Sequence, residues 1–499
     1  MKNSVSSRLA EATAPEVART IYAPPMRGFD QLALERMCFL NEAHALMLAD
    51  RELITREIAV AILKGICQIR EEGPEKVDLD PRFEDSYFAF ENRLGAVIGK
   101  AKAGWLHMGR SRNDIGSTLD RMAVRDWSLD LLEALSEVRR ACLESARVHA
   151  EVVMPGYTHL QPAQPITFGY YLANVARGME REYDRIGGVY ERADECALGS
   201  AAFAGTSFPI DRRLTADLLG FEKIAAPGLD AVASRDFVTE LLWAVTSFQV
   251  LASRVAQDFY VFTSWEFNAL SFPDSLAGTS SIMPQKKNML PLEYFRAEAG
   301  RSIGALSGVL SAVKGSNYSI GLDSAREGLT EAWPAFARFA DALPLLKLVF
   351  ETAAPNAEKL LKRCSENFST ATDIADGLVR EHGVSFREAH HIVGRAVQLA
   401  IARGEDASGL TVEILNTAAK AEVGSTFDIS EDALRHWTDP TLAVASRKVT
   451  GGPAPETTRE VVDQMETRLR TDAQALQHRR KALKDSKERL MARINAFLK

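Results

Sequence analysis

The chain has 499 residues, of which 46% are hydrophobic and 25% charged, and its formal net charge is −7. That length exceeds one ordinary hydrophobic core, so two or three structural units are expected, with the composition of a soluble globular protein. The acidic balance argues against nucleic acid as the main partner, and the most apolar stretch, Leu241 to Val255, is too interrupted by Thr246, Ser247, Gln249, Ser253 and Arg254 to cross a membrane.

The first residues, Met1 to Ser7, are polar and lack the apolar centre of a signal peptide, which predicts a cytoplasmic protein. Apolar residues then recur at steps of three and four, predicting helices over Arg51 to Glu72, Thr118 to Glu151, Pro165 to Cys196, Arg235 to Trp265 and Pro291 to Val313. Helices of this length suit an elongated bundle. From Thr471 the chain is rich in Lys and Arg, with Leu476, Leu483 and Leu490 seven apart, which predicts a packed amphipathic helix with a solvated basic face. Five scattered cysteines (Cys38, Cys67, Cys142, Cys196, Cys364) have no metal or redox spacing and read as small buried residues. His390 and His391 are adjacent, and neighbours on a helix do not share a face, so no metal is expected.

The joints between helices carry the chemistry. Ser111-Arg112-Asn113-Asp114 stands before a helix and offers a planar guanidinium that can take a carboxylate through two hydrogen bonds. Met154 to Pro165 contains Thr158 and His159 and is kept out of helical geometry by three prolines. Ala277 to Asn288 starts with a glycine, is interrupted by Pro284, and carries Thr279, Ser280, Ser281, Met283, Lys287 and Asn288 just before a helix whose first turn suits Pro291. Unpaired N–H groups and the dipole at that helix start favour a carboxylate guest.

Taken singly, these segments read equally as solvated turns and structural residues. In combination they resemble the argininosuccinate lyase branch of the fumarase/aspartase superfamily. Leu106 to Asp114 resembles the motif L-H-T-G-R-S-R-N-D, Met154 to Pro165 resembles M-P-G-Y-T-H-L-Q-x-A-Q-P, and Gly278 to Asn288 is similar to the signature loop G-S-S-x-M-P-x-K-x-N. Leu198 to Gly205, Leu229 to Phe237, Ala371 to Asp376 and Phe386 to Gly394 match further strings, with Ser234 standing where the family has an aspartate.

The resemblance implies an all-α, three-domain fold with a long central helical bundle: residues 1–114, residues 115–365 with the signature loop at 272–290, and residues 366–499. It implies a homotetramer whose sites are composed from three subunits, acting on a small dicarboxylate or aminocarboxylic substrate without a cofactor, nucleic acid or membrane. The implied reaction is β-elimination of fumarate from an N-substituted L-aspartate. Ser281 would be the base, Lys287 an electrostatic stabiliser, and His159 with Glu293 the pair that handles protons. Arg112, Asn113, Thr158, Ser280, Met283, Asn288, Arg235 and Ile320 would bind substrate.

The amine half departs from the family. Where argininosuccinate lyases carry Tyr, Asn, Gln and Lys after the signature helix, this chain has Ile320, Gly321, Ala325 and Gly328, and Leu290 replaces an acid. A buried guanidinium and zwitterion should not lose several polar partners, each worth about 1–3 kcal/mol. The expected substrate is therefore another N-substituted aspartate, such as an aminopolycarboxylic acid of the ethylenediamine-disuccinate type. Argininosuccinate itself is the alternative, and a non-catalytic structural homologue is the third reading.

Overall fold

The computed structural model describes residues 11–499; Met1 to Ser7, read above for a leader, lie outside them. Helix α1 (Gln31–Asp50) is capped by Asp30, α2 (Arg56–Glu72) by Thr55 and α3 (Ser86–Ile98) by Asp85, each side chain accepting from an N–H of the first turn. Together with Leu106, Ile115 and Leu218 they enclose a first apolar core. Helix α1 begins twenty residues before the first predicted helix. Its buried face includes Asn41, Glu42 and His44 among Leu40, Leu46 and Leu48, so no clean apolar stripe marks it.

Helix α4 (Arg112–Val148) opens on a capping box, with the Ser111 side chain accepting from the first turn and Asp114 accepting from Ser111 N–H. The chain then forms an antiparallel hairpin, β1 (Val153–Thr158) and β2 (Gln161–Thr167), and returns as α5 (Phe168–Ala193). The prolines that exclude a helix here face each other across the hairpin, Pro155 opposite Pro165. Helices α6 (Asp236–Thr263), α7 (Leu290–Val313) and α8 (Ala332–Thr352) complete the bundle. Its core runs from Leu132 and Leu135 through Leu172, Phe248 and Phe259 to Phe336 and Phe350.

Residues 371–437 build a separate core from α9 (Ala371–His382), α10 (Phe386–Ala402) and α11 (Val412–Val423), closed by Trp437 over Gly377. Helix α12 (Pro455–Leu498) leaves that core and runs back along the others. Its Val462, Met465, Leu469 and Leu476 join the bundle core, and its Leu490 and Ile494 join the first core. The basic face expected to be solvated is only partly so: Arg479 pairs with Glu191, Arg480 with Asp130 and Glu133, and Arg493 with Asp50, while Lys481 and Arg489 are exposed. Among the described residues no helix is long and apolar enough to cross a membrane.

Candidate active site

The sequence-expected residues fall at two ends of the bundle. Arg112 and Asn113 open α4, and the Thr158/His159 hairpin follows its far end; 37 helical residues separate them, about 55 Å at the usual rise. Within the chain the two groups stand at opposite ends of this helix.

At the first end, Arg112 donates to Glu84 Oε2 and Asp85 Oδ2, both at 3.0 Å, and its guanidinium lies 4.4 Å from the Phe88 ring centre. Asn113 Nδ2 donates to the Ala202 carbonyl at 3.0 Å. Asp114 is buried beneath them and accepts from the N–H groups of Ser111, Gly199 and Ala201, so the Leu198–Gly205 loop is tied to the start of α4. Burial pushes the Asp114 carboxyl up to about 6 despite these donors. Arg235, expected to bind substrate, is buried and donates to Asp120 at 2.8 Å and to the Val232 and Ser234 carbonyls. It braces the start of α6. The stretch containing Ile320 reaches this same end, because Tyr318 donates to Asp230 Oδ1 at 2.5 Å and Arg326 donates to the Glu84 carbonyl at 3.4 Å. Ile320 is half-buried there.

Two buried polar groups behind Arg112 were not legible in the sequence. Arg110 donates to Asn41 Oδ1 at 2.6 Å, and Tyr87 OH and His107 Nδ1 lie 2.8 Å apart. Burial, then Arg110 and Arg112, push the His107 imidazole down to about 4.

At the second end, the turn of the hairpin is His159-Leu160, and both residues have positive φ, 56° and 59°. Two-residue hairpins favour this left-handed geometry and normally fill it with Asn-Gly. Here two bulky residues hold it, at about 1–2 kcal/mol each, and the imidazole is displayed at the tip. A cavity of about 510 Å³ lies beside it, lined by Thr158, His159, Gln164, Tyr171, Arg254 and Asp258 among others. Tyr171 donates to Asp258 Oδ2 at 2.7 Å at its inner wall.

The signature loop is pinched shut at its base by a short ladder, Gly278 opposite Asn288 and Thr279 opposite Lys287. Leu290 packs over Gly278, where an added Cβ would fall 2.4 Å from Leu290 Cδ1. Beyond the ladder, Ser281 and Met283 are exposed, and Ser280 Oγ accepts from the Met283 N–H at 3.0 Å. Lys287 Nζ donates to the Phe272 carbonyl at 2.5 Å and pairs with Asp274 at 2.9 Å. Asp274 is almost wholly solvated, so that pair is weak and the ammonium is easily recruited elsewhere. Glu293 sits on the first turn of α7, and its partner is Tyr260, whose hydroxyl donates to Oε1 at 3.2 Å. Among the described residues, no ion pair joins His159 to Glu293 within the chain. The arrangement can present a serine hydroxyl, a cation and a helix N-terminus to one carboxylate, with an imidazole supplied from the hairpin.

Comparison with known proteins bears on what these groups do together. Residues 29–304 match the lyase family, and residues 368–445 match the argininosuccinate lyase C-terminal family. Argininosuccinate lyase 1 of Shouchella clausii is 34% identical over 96% of this chain and 96% of its own length. The argininosuccinate lyase of Methanothermobacter thermautotrophicus is 36% identical, covering 89% of this chain and 94% of that one. A solved structure of an EDDS lyase double variant with bound fumarate superposes with a TM-score of 0.88 at 32% identity, covering 98% of this chain and 96% of that one.

Proposed function

The chain belongs to the argininosuccinate lyase family of carbon–nitrogen lyases, and from that premise we propose that it releases fumarate from an N-substituted L-aspartate by β-elimination. The observation that carries this reading is the pinched loop that holds Ser280, Ser281, Lys287 and Asn288 at the start of α7. Ser281 removes the proton from the carbon beside one carboxylate. The negative charge that develops on that carboxylate is met by Lys287, by Asn288 and by the N–H groups of the helix start, all strengthened when the loop closes and excludes water. Thr158 and Ser280 add hydroxyl donors, Met283 covers the loop, and Arg112 with Asn113 grips the second carboxylate. His159, backed by Glu293, delivers a proton to the departing nitrogen.

The amine half is assigned to a group other than arginine. Support comes from the half-buried Ile320 beside the Arg112 end, and from Gly321, Ala325 and Gly328 in the same stretch, none of which offers a side-chain polar partner. An aminopolycarboxylic aspartate fits this pattern and the likeness to EDDS lyase. Argininosuccinate is the second reading, favoured by the names of the full-length relatives. The test is ultraviolet absorbance of fumarate formed from a panel: argininosuccinate, ethylenediamine-disuccinate, N-alkyl aspartates and adenylosuccinate. Preferred cleavage of ethylenediamine-disuccinate or an N-alkyl aspartate supports the first reading, preferred cleavage of argininosuccinate the second, and no fumarate from any member overturns the lyase reading for this chain.

The working form is proposed to be a homotetramer with composite sites. The two groups of site residues stand at opposite ends of α4. A bundle face carrying Trp243, Val250, Ile303 and Leu310 is exposed, and Gly300, Gly304 and Gly308 on α7 have open space where a side chain would stand. Such a face is suited to close contact with further copies.

A further inference from the structure

Helix α6 brings to the signature-loop end a residue to which no role has yet been given. Tyr260 stands one turn before the end of that helix and is 38% exposed, while its neighbours Phe259 and Phe262 turn into the core. Two contacts fix the ring. Its hydroxyl donates to Glu293 Oε1 at 3.2 Å, and the Arg296 guanidinium lies 5.1 Å from its ring centre. Glu293 and Arg296 occupy successive turns of α7, so the ring is held between a carboxylate at its hydroxyl and a cation at its face. Among the described residues Tyr260 is the one hydrogen-bond partner of Glu293, which leaves Oε2 free to accept a second donor.

We propose that Tyr260 is a positioning residue: it holds one oxygen of Glu293 so that the other meets the imidazole N–H of His159 in the assembled site. A glutamate on a helix surface has three side-chain torsions and samples many orientations. A hydrogen bond to one oxygen, given by a ring that Arg296 also faces, restricts that freedom and sets the direction of the second oxygen. Orientation of an imidazole by a carboxylate is worth little unless the carboxylate is itself held. This rests on the reading of His159 and Glu293 as the proton-handling pair.

Tyr260→Phe tests it, because it keeps the ring and the Arg296 contact and removes only the hydroxyl. With the best substrate of the panel above, kcat is expected to fall roughly 3- to 10-fold with KM changed less than about twofold, as for loss of one ordinary, solvent-accessible hydrogen bond. The thermal midpoint should stay unchanged. In a Glu293→Gln background the same substitution should cost nothing further, since there is no carboxylate left to aim. A merely structural tyrosine would cost the same in both backgrounds, and that additive result overturns the proposal. So does an unchanged kcat for Tyr260→Phe when Glu293→Gln alone lowers turnover. If Glu293→Gln leaves turnover intact, or no panel member is cleaved, the reading of the pair fails and the proposal falls with it.

Discussion

His159 shows how much a single residue can reveal and conceal. A role in proton handling was suggested by the family string around it, but its conformation was not legible, because neither His159 nor Leu160 is a residue that favours positive φ. Tyr260 was invisible for another reason: it lies 33 positions from Glu293, on a different helix, and sequence spacing carries no trace of that contact. The same holds for His107, whose hydrogen-bonding partner Tyr87 lies 20 positions away on helix α3. His107 also gives a prediction in pH. Folded, its imidazole is held at about 4, against an ordinary value of 6.5, so below 6.5 the unfolded chain takes up a proton that the folded chain refuses. Stability from this residue is therefore complete above about 6.5 and lost as pH falls toward 4. The raised carboxyl of Asp114 works oppositely, gaining stability as pH falls from about 6 to 3.8, so the two must be separated by substitution. His107→Gln isolates the first: between pH 7 and pH 5 the parent's melting temperature should drop more than the variant's. Parallel drops would mean that His107 titrates normally.

At the level of elements, long regular helices with one apolar face were legible and their ends were found within a few residues, as for α5 and α7. What escaped was decided by packing. Helix α1 has buried side chains of both polarities, and the hairpin β1–β2 lacks strict alternation because prolines occupy both strands. One glycine lets the helix that leaves the hairpin seat against the end of α4. Gly169, second in α5, lies so close to the end of α4 that an added Cβ would fall 2.3 Å from the Ala146 carbonyl oxygen and 2.6 Å from Ala150 Cα. Backbone cannot step aside as a side chain can. Gly169→Ala should destabilise the protein by about 1–3 kcal/mol, lowering the melting temperature. It should also lower kcat more than it alters KM, because the hairpin that carries His159 is pushed off its seat. A variant with parental melting and turnover would show that this contact relaxes freely.

For the whole molecule, the proposed composite sites would make assembly part of catalysis, since the site residues stand at opposite ends of α4. Ser281→Ala and Arg112→Ala should each be nearly inactive alone while keeping helical circular dichroism. Co-expressed in equal amounts, they should regain about a quarter of parental turnover if each site takes Ser281 and Arg112 from different copies at random. No recovery would show that both residues come from one chain. The reaction class was legible in the sequence because motif residues are local; a division of the site between subunits was implied only by the family resemblance, since within the chain it depends on the 37-residue length of α4 and on which faces remain uncovered. Helix α12 adds a consequence in time. The first core is built from residues near the start of the chain, yet it is completed by Leu490 and Ile494. At the usual pace of synthesis those two residues follow Leu218 by roughly 14–55 s. Throughout that interval the nascent chain offers the ribosome's surroundings an unfinished apolar surface around Ile62, Ile66 and Leu218. Chaperone contact during synthesis should concentrate there and end on release.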